Sequence, residues 1–103
     1  MKENIKNRFL KYVSIDTQSD ENSGSCPSTD KQLVLLKMLH DELKAKGLSD
    51  VSMDSNGYVM ATLPANNGKN GPVIGFIAHV DTSPDMPGVN VKPRLVENYD
   101  GGD

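Results

Sequence analysis

The sequence is poor in cysteine, tryptophan and arginine: its 103 residues include one Cys, no Trp and two Arg. One cysteine cannot build a disulfide framework, and two arginines with a net charge of −3 leave no basic stripe for nucleic acid. The apolar runs are far shorter than the roughly 18 residues that a membrane span needs. These shortages favour a soluble protein in a reducing, cytoplasmic setting, with neither nucleic acid nor membrane as a partner.

The length and composition predict one small globular unit. A chain of 103 residues buries roughly 60–70 % of its unfolded surface on folding, which is enough for a marginal core. Hydrophobic residues make up 36 % of the chain and charged residues 24 %, so the composition does not indicate intrinsic disorder.

Apolar residues at helical spacing predict two helices, separated by a polar loop at residues 14–29. The first helix covers residues 3–13. The second begins near Ser28 or Thr29, where Thr29 followed by Gln32 resembles a capping box. It carries a leucine stripe and ends at a glycine suited to a left-handed cap: Leu33, Leu36, Leu39, Leu43 and Gly47.

Beyond the second helix the hydrophobic period changes to two. Residues 51–54 and 58–63 flank residues 55–57, where an Asn-Gly pair favours a tight primed turn and hence a β-hairpin. Residues 73–80 are then apolar on both alternating faces until His79, which predicts a central strand buried on both sides of an α/β sheet. The predicted fold class is therefore α/β, with two helices, a hairpin and a buried central strand.

The predicted strand at residues 73–80 needs more partners than this chain supplies. One hairpin and two helices cannot cover both faces and both edges of a central strand. After Asp81 the sequence contains three prolines and a Gly-Gly pair but no helical pattern, and a structureless run above roughly 20 residues argues against a complete domain. We therefore expect residues 1–103 to be the N-terminal part of a longer protein.

His79 and Asp81 are the residues best placed for chemistry, at the end of the predicted central strand. Residues two apart on a strand point to the same side, so the carboxylate can orient an imidazole that binds a metal. The carboxyl end of a buried α/β strand is also where ligand crevices open. A His-x-Asp pair alone is a weak motif, however, and a strand end that simply meets solvent has the same pattern.

The other titratable candidates have simpler interpretations. His40 lies beside the leucine stripe and is interpreted as a half-exposed helical histidine. Cys26 has no neighbouring histidine or basic pair to activate its thiol. Residues 100–103 lack the full ligand spacing of a cation loop and are interpreted as a solvated turn.

Three segments, at residues 9–19, 57–64 and 74–85, resemble the co-catalytic di-zinc peptidase family, and within it the tripeptide aminopeptidases. Residues 74–85, IGFIAHVDTSPD, resemble the first metal-binding segment of that family. Residues 9–19 and 57–64 extend the similarity through most of the chain. The His-x-Asp core is shared across the wider family, whereas the opening segment is more particular to the tripeptide aminopeptidases.

The resemblance implies roles for His79 and Asp81. His79 would be a ligand of one zinc, and Asp81 the catalytic-site carboxylate that orients its imidazole. In that family two zincs and a glutamate base activate the water that attacks the scissile carbonyl. The other ligands, the base and the lid and dimerisation domain would lie beyond residue 103, which leaves residues 1–103 as the N-terminal portion of the catalytic zinc-binding domain.

The resemblance also implies an activity and its partners. The full-length protein would be a cytoplasmic homodimer that releases the N-terminal residue of tripeptides with a free amino terminus. A catalytic zinc usually takes three protein ligands, so we expect the isolated chain to be inactive.

Two alternatives remain open at this point. One is a di-zinc relative that deacylates amino acids or trims C-terminal residues. The other is a non-enzymatic α/β interaction module, in which His79 is structural and the chain folds as a cooperative monomer without metal. The fragment hypothesis instead predicts an unpaired edge at residues 73–80 and hence self-association.

Overall fold

A computed structural model describes residues 2–102. The two strands pair as an antiparallel sheet, and α2 packs against both of them. None of the helices among residues 2–102 is long and apolar enough to cross a membrane. The predicted order of two helices and a hairpin is confirmed, with these elements: α1 (Lys2–Val13), α2 (Gln32–Ala45), β1 (Ser49–Met53) and β2 (Val59–Thr62).

Helix α1 is joined to α2 by polar contacts rather than by a buried apolar face. None of its residues is buried, although its apolar residues have helical spacing. Arg8, Lys11 and Tyr12 of α1 all donate hydrogen bonds to the Glu42 carboxylate on α2. The Arg8 guanidinium also lies over the Tyr12 ring, 5.7 Å from its centre. One carboxylate therefore holds the two helices together.

The contacts of Glu42 predict that the docking of α1 depends on pH. The hydrogen bond from Tyr12 and the charge of Arg8 lower the pKa of Glu42 below its ordinary value. A lowered folded-state pKa stabilises the fold above the unfolded pKa, near 4.3, and this contribution disappears as pH falls through the folded value. We therefore expect protonation of Glu42 to lower the free energy of unfolding by about 1 kcal/mol.

Urea unfolding at pH 7 and pH 3 checks this expectation, with Glu42→Gln as the comparison. The glutamine variant should lose about 1 kcal/mol at pH 7 and show a correspondingly smaller acid dependence. Equal pH dependence in the two proteins would show that Glu42 does not control the docking of α1.

Helix α2 begins at Gln32, later than the sequence pattern predicts. The Gln32 side-chain amide does donate to Thr29 Oγ1, at 3.1 Å. The Thr29 hydroxyl, however, donates to the carbonyl of Gln18 at 2.8 Å, and the N-cap residue Lys31 makes no side-chain cap. The predicted capping box is therefore wrong, because Thr29 is bonded to the preceding loop instead of the helix end.

The end of α2 follows the sequence prediction. Gly47 adopts a left-handed conformation with φ of 77°. The Gly47 amide donates to the Lys44 carbonyl at 2.9 Å, and the Leu48 amide donates to the Leu43 carbonyl at 3.3 Å. These two bonds are the Schellman pair that closes many helices, and they turn the chain directly into β1.

The hairpin between β1 and β2 turns at residues 55–57, as the sequence predicts, but the type of turn differs from the prediction. The Asp54 amide donates to the Tyr58 carbonyl, and the Asp54 carboxylate accepts from the amides of Asn56 and Tyr58. Gly57 alone in this turn has a positive φ, 87°. The predicted primed turn is wrong, because such a turn would require a positive φ at Asn56 as well.

Gly57 also contacts helix α2. A Cβ atom at this position would lie 2.8 Å from Leu36 Cδ1. Because the left-handed conformation itself costs about 1–2 kcal/mol in a non-glycine residue, we expect Gly57→Ala to lower the free energy of unfolding by at least that amount. Gly24→Ala is the matched control, since a Cβ there meets nothing within 4 Å. Equal urea midpoints for the two variants would contradict this account of the turn.

The structure corrects the prediction of a buried central strand at residues 73–80. These residues lie in no strand, and Phe76 and Ile77 are 96 % and 100 % exposed. Leu35 is the only buried core hydrophobic residue among residues 2–102, so the predicted marginal core does not form either. The radius of gyration is 16.8 Å, against about 13 Å for a compact chain of this length. The physical reason is that the described chain has no strand or helix to cover this segment.

Candidate metal centre

His79 and Asp81 form the pair that their spacing predicts. The His79 Nδ1 atom lies 2.8 Å from Asp81 Oδ1. Since a carboxylate accepts this bond, Nδ1 carries the proton and Nε2 retains its lone pair for a ligand role. The His79 side chain is 84 % exposed and that of Asp81 41 %, so Nε2 is accessible from outside the chain. An imidazole held in this way could donate Nε2 to one metal ion.

The backbone beside this pair is held by a segment near the start of the chain. Thr17 Oγ1 donates to the Val80 carbonyl at 2.8 Å, and the Thr82 amide donates to the Thr17 carbonyl at 3.2 Å. The Ser19 amide donates to the Thr82 carbonyl at 2.9 Å, which completes a short parallel bridge between Gln18 and Thr82. The candidate site therefore lies on an isolated parallel pairing.

The same segment, residues 16–19, also contacts the turn that follows the site. The Gln18 side-chain amide donates to the carbonyls of Pro84 and Met86, both at 2.9 Å. Asp16 approaches Gly88 so closely that a Cβ there would collide with the Asp16 carboxylate. The 16–19 segment thus contacts several residues between positions 80 and 88.

The 16–19 segment is fixed in turn to the start of α2. Lys31 Nζ lies 2.8 Å from Asp16 Oδ2, and the Thr29 hydroxyl donates to the Gln18 carbonyl. The hydrogen bond from Lys31, together with that from the Gln18 amide, lowers the pKa of Asp16 below its ordinary value. Asp16 consequently remains a carboxylate, able to hold Lys31, at any pH above its lowered pKa.

The described residues do not form a complete metal site. No group of three His, Cys, Asp or Glu side chains among residues 2–102 is arranged to hold a metal ion. His40 is paired with its neighbour Asp41, at 3.0 Å, and Cys26 is exposed. Catalytic zinc usually takes three protein ligands, so the donor set here fits one of them and leaves the others to be supplied from elsewhere.

Curated proteins match this chain from end to end. A protein of Clostridium acetobutylicum, peptidase T, is 66 % identical over 101 residues, which are 98 % of this chain and 25 % of the relative. This chain is similar to peptidase T along its whole length. Peptidase T of a Geobacillus strain is 61 % identical and that of Bacillus subtilis 58 % identical, each over 103 residues. No protein-family model matches the chain.

The similarity to peptidase T confirms the resemblance found in the three sequence segments. The chain spans about a quarter of the length of the curated peptidase T sequences that it matches. Those curated sequences are therefore about four times as long as this chain.

Sequence reasoning missed the role of the 16–19 segment. The sequence predicts a loop at residues 14–29, and the similarity of residues 9–19 to tripeptide aminopeptidases carries no structural assignment. The bond from Thr17 to Val80 joins residues 63 positions apart. No local pattern records such a contact, because Thr, Gln and Ser in a polar loop have the same composition whether or not they bind a distant segment.

Proposed function

We propose that this chain is the part of a peptidase T-type zinc aminopeptidase that carries one zinc ligand, His79, and the carboxylate that orients it, Asp81. The observation that supports this role is the Nδ1–Oδ1 bond of 2.8 Å, which leaves the exposed Nε2 as the ligand atom. Residues 1–103 would form a portion of the catalytic zinc-binding domain. The whole enzyme would act as a cytoplasmic homodimer.

The proposed reaction is release of the N-terminal residue from tripeptides with a free amino terminus. Zinc, when bound, supplies Lewis-acid activation of water and of the scissile carbonyl. In this chain, His79 offers the Nε2 lone pair, and Asp81 holds the Nδ1 proton so that the ring keeps the ligating tautomer. The remaining ligands and the general base would come from the other three quarters of the enzyme.

A grafted enzyme tests this proposal. In it, the residues of this chain replace the matching quarter of Clostridium acetobutylicum peptidase T, which aligns with 101 of them. We expect the grafted enzyme to hydrolyse a free-amino tripeptide at a rate near that of its parent. The isolated 103-residue chain should show no hydrolysis, because it offers one ligand where about three are needed.

The outcomes separate clearly. A grafted enzyme that forms the parent's folded assembly but does not cleave the tripeptide would contradict the proposed function. Hydrolysis by the isolated chain, lost on His79→Ala, would instead show that this chain alone makes a working site.

A further inference from the structure

We propose that Thr17 is a positioning residue for the zinc site. It holds both peptide units that flank Asp81, and so sets the direction in which the Asp81 carboxylate meets His79. This inference rests on the proposed function, because it assigns Thr17 a role in metal binding. The two bonds of Thr17 that carry this inference go to the backbone on either side of Asp81.

The geometry is a two-point hold on one residue. The Thr17 hydroxyl donates to the carbonyl of Val80, which belongs to the peptide unit before Asp81, at 2.8 Å. The Thr17 carbonyl accepts from the amide of Thr82, which belongs to the peptide unit after Asp81, at 3.2 Å. Because these two peptide planes define the backbone dihedral angles of Asp81, Thr17 constrains both angles at once.

Thr17 is buried, which protects its two hydrogen bonds to the backbone beside Asp81 from competing water. Thr17 is 3 % exposed, whereas His79 and Asp81 are both open to solvent. In the described chain the site therefore has no surrounding core to fix it, and its orientation depends on hydrogen bonds from the 16–19 segment. Without the Thr17 hydroxyl, the Val80 carbonyl would lose its partner beside a buried side chain, which favours rotation of the Val80–Asp81 peptide.

The opposite side of Thr82 is held independently. The amide and the hydroxyl of Ser19 both donate to the Thr82 carbonyl, at 2.9 Å. Loss of the Thr17 hydroxyl should therefore leave the segment docked while it frees the peptide unit before Asp81. This distinction separates a positioning role from a general contribution to folding.

The test measures zinc affinity in the grafted enzyme by competition with a calibrated chelator, on protein purified as the folded assembly. Thr17→Val removes the hydroxyl and keeps the shape of the side chain. We expect it to weaken zinc binding about 10-fold, the lower end of the range for residues that orient a metal ligand directly, because Thr17 acts through Asp81. The kcat should fall with it, while KM stays within about twofold, since no substrate contact is removed.

Three further variants complete the design. Thr17→Ser keeps the donor and should restore zinc affinity to within about threefold of the parent. Thr17→Ala, which cannot overfill the site, replaces the valine variant if that protein does not fold, and should match its weak binding. Thr62→Val makes the same change at an exposed position of β2 and should leave zinc affinity unchanged.

Two results would overturn the inference. One is parental zinc affinity in folded Thr17→Val or Thr17→Ala; the other is equal weakening by serine and alanine, which would assign the effect to packing of the methyl group. An inactive grafted enzyme would refute the proposed function, yet its zinc affinity would still decide the role of Thr17. The two failures are therefore distinguishable.

Discussion

Replacing His79 with alanine in the grafted enzyme is expected to lower kcat/KM for a tripeptide by about 10³-fold or more. Such a loss corresponds to about 4 kcal/mol of transition-state stabilisation, and metal ions contribute several kcal/mol of this kind. The reason is structural: the His79 side chain is largely exposed, and the carboxylate of Asp81 orients its imidazole so that Nε2 faces away from the bond. Steady-state kinetics on zinc-loaded protein measure the effect.

His40 provides the matched control for this substitution. It is the second histidine of the chain and also contacts an aspartate, Asp41, at 3.0 Å, but the two are adjacent on helix α2. We expect His40→Ala to retain kcat/KM within about threefold. If the His79→Ala enzyme were as active as the His40→Ala enzyme, the proposed role of His79 in the site would be contradicted.

The isolated 103-residue chain is expected to self-associate through residues 73–77. Phe76 and Ile77 are almost fully exposed, and the backbone of this segment pairs with no strand in the described chain. Unpaired apolar segments of this kind add to one another edge to edge. Sedimentation velocity of the metal-free chain should therefore show oligomers that grow with protein concentration.

A charge within the segment should reverse this association. Ile77→Lys places a lysine at the most exposed residue of the segment, and burial of the isoleucine side chain that it replaces is worth about 1.5–3 kcal/mol. We expect the dissociation constant to rise about 10–100-fold, since each 1.4 kcal/mol is a factor of ten. Leu63→Lys is the control, because Leu63 is also exposed, at 83 %, but lies outside the segment. A wild-type chain that stays monomeric at every protein concentration would contradict this expectation and favour the self-contained interaction module.

Local patterns predicted the helices well and the turns less well. The Ile5–Val13 spacing and the glycine after the leucine stripe are local signals, and both helices end where these signals predict. The start of α2 and the hairpin turn were wrong because side chains formed bonds that composition does not encode. The Thr29 hydroxyl donates to the Gln18 carbonyl instead of capping the helix, and the Asp54 carboxylate accepts hydrogen bonds from two backbone amides of the turn.

The predicted central strand shows what an apolar run does and does not specify. Alternating faces that are both apolar indicate burial in the complete fold, but they do not say which residues provide the cover. In residues 2–102 nothing covers residues 73–80, so the segment is exposed although its composition is that of a core strand. The count of predicted elements, two helices and one hairpin, already indicated that residues 1–103 do not provide enough partners for this segment.

In the candidate site, too, the contacts between near neighbours in sequence could be predicted and the contacts between distant residues could not. His79 and Asp81 are two residues apart, so their pairing could be predicted from strand geometry alone. The bonds from Thr17 and Gln18 cross more than 60 residues and could not. The roles of His79 and Asp81 at a metal remain proposals.

The most direct measurement is a zinc titration of the grafted enzyme by chelator competition, beside its His79→Ala, Asp81→Ala and His40→Ala variants. The account predicts tight binding that is lost at one site in His79→Ala, weakened about 10–100-fold in Asp81→Ala and unchanged in His40→Ala. The isolated chain should bind zinc weakly, with little change on either site substitution. Full zinc occupancy and parental affinity in His79→Ala would contradict the central claim that this chain contributes a zinc ligand.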